Sequence, residues 1–230
     1  MSTDTTAKPD YAGHRQRLRE RFLKGGSDAL ADYELLELLL FGAIQRRDTK
    51  PIAKALLKRF KSFAGVIGAE PSELREIDGV GDSVIVALKS VDAAALRVIR
   101  EDVIDRPILN NWQRLIDYCR ATLGRNKVES FHVLFLNRRN ELIADEEQQR
   151  GTIDHTPVYP REVVKRALEI GAAAIIMVHN HPSGSAKPSK ADIDMTREVE
   201  DAAGKLGIVL HDHVIVARSG TTSFKEAGLL

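Results

Sequence analysis

The 230 residues are 43% hydrophobic and 29% charged, enough apolar content for one large globular domain or two small ones with a buried core. A formal charge of +1 and a pI near 7.9 exclude a globally basic nucleic-acid binder, so any such contact has to come from a local patch. The single Cys119 excludes an intramolecular disulfide, and the lack of a long apolar run excludes a signal peptide or membrane span. The expected setting is a reducing cytoplasm with no membrane partner.

Residues 1–12 are polar, carry Pro9, and are expected to be a disordered lead-in. From Gly13 to Arg100 the pattern is helical: Arg15–Leu23, Tyr33–Leu40, Pro51–Phe60 and Ser83–Ile99, jointed at Gly25-Gly26, Gly42, Gly65 and Gly79-Val80-Gly81. This predicts a small all-α domain over 13–100. The charged run 101–107, ending in Pro107, is expected to be a linker.

The second half, 108–230, changes character. Trp112–Cys119 has a helical pattern in which Cys119 is a small core hydrophobe with no chemistry assigned. Phe131–Leu136 and Ala173–Val178 are short apolar runs suited to buried strands. Between them Pro160–Ile170 reads as a helix, with proline at its start and Gly171 past its end. A further helix follows Pro188-Ser189, and a last strand runs Gly207–Val216. The predicted fold class is α/β, with a mixed-sheet C-terminal domain behind the all-α N-terminal one.

The segment from His179 to Asp192 concentrates the chemistry. Positions i and i+2 on a strand share a face, so His179 and His181 can converge on one ion while Asn180 points away. Pro182 and Gly184 end the strand, and Asp192, in the first turn of the next helix, can return as an oxygen ligand. Two histidines and a carboxylate leave a position open for water, the pattern of a catalytic zinc site. The competing reading is a polar His pair beside a turn, with Ser189-Lys190-Ala191-Asp192 acting only as a helix capping box.

The spacing His179-x-His181, seven residues, Ser189, two residues, Asp192 resembles the JAMM motif. The surrounding Val158–Val164 and His179–Gly184 are similar to the RadC branch of that MPN-type fold, over roughly residues 108–230. The resemblance implies a cytidine-deaminase-like α/β arrangement, one Zn2+ per chain on His179, His181 and Asp192, and hydrolysis of peptide or isopeptide bonds in a peptide or protein substrate. It further implies that Ser189 stabilises an oxyanion and that an upstream glutamate is the general base. Glu129, before the Phe131 strand, matches by position, with Glu141, Glu146 and Glu147 as neighbours in sequence. Asp212-His213 resembles a recurring pair of the family and is expected to support the ligands from behind. His211 stands where an aliphatic residue is expected, and His155 is left without a role.

In the first half, Leu74–Ile85 resembles a helix-hairpin-helix, whose Gly79-Val80-Gly81 turn exposes backbone N–H groups that can bind a phosphate without reading sequence. Asp78 and Asp82 flank it with the wrong charge. Residues 1–60 hold 12 Lys/Arg against 8 Asp/Glu, including Arg15, Arg17, Arg19, Arg21, Arg46 and Arg47, a local excess of +4. Protein interaction and weak nonspecific DNA binding both remain open for this half. Two functions follow: a zinc-dependent metallopeptidase recruited by a helical module, or a DNA-repair accessory factor whose JAMM domain is a scaffold or acts on nucleic acid. The sequence assigns no oligomeric state.

Overall fold

A computed structural model describes residues 13–104, 107–108, 112–151 and 158–230. The lead-in 1–12 and His155 lie outside the described residues. The chain forms two compact units, 1–95 and 96–230.

The first unit is helical: α1 (His14–Gly25), a single 3-10 turn (Ser27–Ala29), α2 (Asp32–Ala43), α3 (Lys50–Phe60), α4 (Phe63–Ile67), α5 (Pro71–Arg75) and the greater part of α6 (Asp82–Glu101), whose residues from Leu96 onward belong to the second unit. Its core joins Leu36 and Leu40 of α2, Leu56 of α3, Val66, Leu74, and Val84 and Leu88 of α6. Glu34 accepts from the Ala31 N–H at 3.0 Å and pairs with Arg21, closing the start of α2. Gly79 sits at φ +82°, a backbone conformation that strains any L side chain, so the hairpin turn favours glycine there.

The second unit carries α7 (Trp112–Leu123), β1 (Glu129–Leu136), β2 (Leu142–Gly151), α8 (Pro160–Glu169), β3 (Ala174–His181), α9 (Lys190–Gly204), β4 (Val209–Ala217) and β5 (Gly220–Ser223). The strands form one mixed sheet, ordered β2-β1-β3-β4-β5, in which only β3 and β4 are parallel. Strand alternation divides its core. Leu134, Leu136, Ile176, Val178, Val214 and Val216 pack with Leu115, Cys119 and Leu123 of α7. Phe131, Val133, Phe135, Ile175 and Met177 pack with Val163 and Ala167 of α8 and Val199 and Ala203 of α9. The predicted mixed α/β class is therefore the observed one. Cys119 is a buried core residue whose thiol pKa is pushed well up by burial.

Three features go beyond the sequence reading. Val103 and Ile108 are buried in the α7-side core, and Ile104 and Pro107 bridge to Leu142 and Glu141, so the described part of 101–108 is packed onto the sheet. The polar β2 pairs along β1 as an edge strand, and β5 closes the opposite edge. Between Ile175 and Ile176 the β3–β4 register skips His211, a bulge. Leu210 and His213, three apart, consequently serve the same side of the sheet, and His211 turns aside to Asn140 Oδ1 at 2.7 Å.

Phe135 is fully buried at the centre of the α8–α9 side. Phe135→Ala should lower the stability of the second unit by about 3–5 kcal/mol, through lost transfer energy and the cavity left behind, read from the denaturant midpoint of that unit's transition.

Candidate metal centre

β3 ends at the site. Its last residues alternate as strand geometry dictates: His179 and His181 face the α9 side, while Asn180 faces the other. Asn180 is 2% exposed and fully engaged there. Its Oδ1 accepts from Ser130 N at 2.8 Å and Ser130 Oγ at 3.0 Å, and its Nδ2 donates to the carbonyls of Asn126 and Val128, both at 3.1 Å. β1 runs antiparallel to β3 with Phe131 opposite His179, and Glu129 begins β1 two residues earlier, where its charge acts on His181.

Three donor atoms converge. His179 Nε2 lies 2.9 Å from His181 Nε2, Asp192 Oδ1 lies 3.4 Å from His179 Nε2, and Asp192 Oδ2 lies 3.5 Å from His181 Nε2. Tetrahedral coordination with bonds of about 2.0–2.1 Å places ligand atoms about 3.3 Å apart, so these separations suit one ion. Among the described residues this is the one His/Cys/Asp/Glu group of its kind. His181 Nδ1 faces the carbonyl of Ser185 at 2.9 Å. A carbonyl only accepts, so the ring proton sits on Nδ1 and the Nε2 lone pair of the neutral ring points inward. The chemistry of this donor set, an inward lone pair facing a second imidazole nitrogen and a carboxylate, fits a cation between them.

α9 delivers Asp192. Ser189 caps the helix: its Oγ accepts from Asp192 N at 3.1 Å, and its N–H donates to Asp192 Oδ2 at 2.7 Å. The capping box includes the candidate ligand Asp192, so the cap does not compete with the metal reading of this segment. The Ser189 side chain is exposed, and accepting the cap bond leaves its hydroxyl hydrogen available.

Behind the donors stands His213 of β4, 0% exposed, with Nε2 2.7 Å from His179 Nδ1 and Nδ1 2.6 Å from Thr196 Oγ1. Phe131 stacks on His179 and Phe224 on His213. Asp212 does not reach the donors. It accepts from Ser223 Oγ, Lys225 N and the N–H of His213, tying β4 to the turn after β5. Thr196 was not foreseen, although its position four residues after Asp192 puts it on the same helix face. Asp194 is exposed.

Burial depresses the pKa of His179 to about 4. His181, half-buried, is raised by its contact with Asp192, with smaller help from Ser185 and the charge of Glu129. Burial alone would raise Asp192, but the two imidazoles and the Ser189 contacts outweigh it and hold the carboxyl well below the usual range.

In the first unit the hairpin places Val80 in the core, and Arg75 pairs with Asp82 at 2.5 Å beside the Gly79–Gly81 turn. A separate cavity of about 300 Å³ is lined by His14, Arg15, Arg19, Phe41, Arg46 and Arg47, among others. Arg15 lies 4.8 Å over the Phe41 ring and donates to the carbonyls of Ile44 at 2.5 Å and Arg47 at 2.8 Å.

A mixed sheet that delivers two histidines from one strand end and a carboxylate from the next helix defines a JAB/MPN-like domain with a His-His-Asp group that could hold a metal ion. The chain belongs to the RadC-like, UPF0758 family. A family model described as "RadC-like JAB domain" matches residues 109–229, and one described as "UPF0758 N-terminal" matches residues 12–86. The chain is similar to a UPF0758 protein of Rhodobacter capsulatus, 56% identical over 213 residues, 93% of this chain and 100% of that protein. No helix among the described residues is long and apolar enough to cross a membrane.

The shifts give the site a signed pH response. Asp192, depressed, stabilises the metal-free fold above its unfolded value of 3.8 and loses that contribution as pH falls through its lower folded value. His181, raised, stabilises it below 6.5 and loses that contribution as pH rises through its higher folded value. A cation held by His181 would need its bare nitrogen, and its binding would have the opposite slope. The thermal stabilisation produced by a saturating divalent cation should therefore grow between about pH 5.5 and about pH 7.5. A shift independent of pH would exclude His181 as a ligand.

Proposed function

We propose that the second unit is a zinc-dependent hydrolase, a metallopeptidase cleaving peptide or isopeptide bonds, with one Zn2+ held by His179, His181 and Asp192. The convergence of three donors at 2.9–3.5 Å carries this reading. Bound there, zinc supplies an acidified water and a Lewis acid for a substrate carbonyl. Glu129, at the start of β1 and acting electrostatically on His181, is the general base of this reading, taking a proton from the attacking water and returning it to the leaving amine. Ser189 offers its unused hydroxyl hydrogen to the developing oxyanion. His179 is walled in by Phe131 and 1% exposed, while the His181 side chain is 16% exposed, so substrate approaches from the His181 side.

Glu129→Gln should leave zinc content near one per chain while lowering kcat on fluorogenic peptide or isopeptide substrates by about 10²–10⁴-fold. His179→Ala, His181→Ala and Asp192→Ala should each lose the metal, by elemental analysis of folded protein. A parent that folds, takes up no zinc and cleaves neither substrate would leave the accessory-factor reading in front.

For the first unit, the arginine cavity supports nonspecific contact with a DNA backbone better than the hairpin does. Asp78 and Asp82 flank Gly79-Val80-Gly81, and Asp82 already takes Arg75. Arg46 and Arg47, by contrast, are exposed on a loop that Arg15 braces through its carbonyls. If each neutralises one phosphate, Arg46→Gln with Arg47→Gln in the full chain should reduce the slope of log K against log salt by roughly 2 for duplex DNA. A parent without salt-dependent binding would assign this unit to a protein partner.

A further inference from the structure

The hydrogen bonds behind His179 end on a group that can only accept, and this determines every proton along the way. Thr196 Oγ1 lies 2.5 Å from the backbone carbonyl oxygen of Asp192 and 2.6 Å from His213 Nδ1. The hydroxyl has one hydrogen. The carbonyl has none, so that hydrogen lies toward Asp192; otherwise two oxygens would face each other at this distance unprotonated. Thr196 Oγ1 must then accept from His213 Nδ1–H. His213 Nε2 is left as an acceptor, and at 2.7 Å it takes the hydrogen of His179 Nδ1. His179 Nε2 is consequently bare and directed at His181 and Asp192.

We infer that His213 and Thr196 are positioning residues that lock His179 in its Nδ1–H tautomer and so prepare its Nε2 as a metal donor. The inference rests on the metal-site reading above, but the tautomer itself is a property of the metal-free chain. His181 reaches the same state in one step, through the Ser185 carbonyl. His179, deeper in the sheet, reaches it in three. The relay is dry: His179 is 1% exposed, and His213 and Thr196 are 0% exposed. Water therefore cannot replace a missing partner without a new cavity. Phe131 and Phe224 stack on the two rings and keep them from rotating out of line. The relay also closes on itself in sequence, because the carbonyl at its end belongs to Asp192, whose carboxylate is the third donor.

Two readouts test this, neither of them activity. In the metal-free parent near pH 8, nitrogen-15 imidazole shifts should report His179 as Nδ1–H, and Thr196→Val should shift that population toward Nε2–H. Zinc affinity by chelator competition should fall about 10–100-fold in Thr196→Val and His213→Leu. Thr196→Ser, which keeps the hydroxyl, and His213→Gln, whose amide oxygen can still accept from His179, should stay within a few-fold of the parent. Circular dichroism and the metal-free melting temperature show whether each variant folds; should His213→Leu fail to fold, Thr196→Val carries the comparison. An Nε2–H tautomer in the parent would overturn the relay, as would folded Thr196→Val and His213→Leu proteins with parental zinc affinity. If the parent binds no zinc, the metal reading fails, and the tautomer spectra still decide the relay.

Discussion

Asn180 holds both ends of its buried amide in hydrogen bonds, to Ser130 on the neighbouring strand and to the carbonyls of Asn126 and Val128 before it. The site depends on this clamp because side chains alternate along a strand. A slip of one residue between β1 and β3 would carry His179 and His181 to the α7 side and bring Asn180 to the α9 side. The amide has two distinct ends, so it pins both the pairing and the direction of the chain entering β1. It does so in a buried place where an unmade bond would cost about 1–3 kcal/mol. Between the histidines, at the position the metal cannot use, the chain thus carries the group that holds the histidines in place.

From that register follows a gradient of environment across the three donors. His179 is deep, stacked on Phe131 and depressed in basicity by burial; His181 is partly exposed and made more basic by Asp192. Without a cation, Asp192 favours a proton on His181. On the proposed metal-site reading proton and metal compete for one place, so the His181 contribution to stability and the cation affinity should have opposite slopes above pH 6.5. The buried donor supplies a fixed direction, and the open one supplies access.

How much of this could be read from the chain depends on whether the signal was local. His179, His181, Ser189 and Asp192 stand in one stretch where strand parity and a helix start are both legible, so their convergence was foreseeable. β2 was not. Leu142–Gly151 reads LIADEEQQRG, whose Glu and Gln content favours helix, and it becomes a strand through pairing with β1 at an exposed edge. The β4 bulge was also invisible, because Val209–Val216 reads as a continuous strand and only pairing with β3 shows that His211 is skipped. That skip puts His213 behind His179. Its partner Thr196 lies on another element, 17 residues away, and only the folded sheet brings the two together. In the first unit the arginine excess was legible as composition; the division of labour between Arg15, spent on carbonyls, and Arg46 and Arg47 on the surface was not.

Asp192 gathers these constraints in one residue. Its carboxylate faces both imidazoles, its N–H is capped by Ser189, and its carbonyl terminates the relay through Thr196 and His213. The first turn of α9 therefore cannot rotate without opening the donor set, the cap and the support of His179 together. A substitution at Asp192 removes a charge, while one at Thr196 leaves every donor present and releases only the direction of one lone pair. The two defects are of different kinds: the first changes what the site contains, and the second changes how often it is ready.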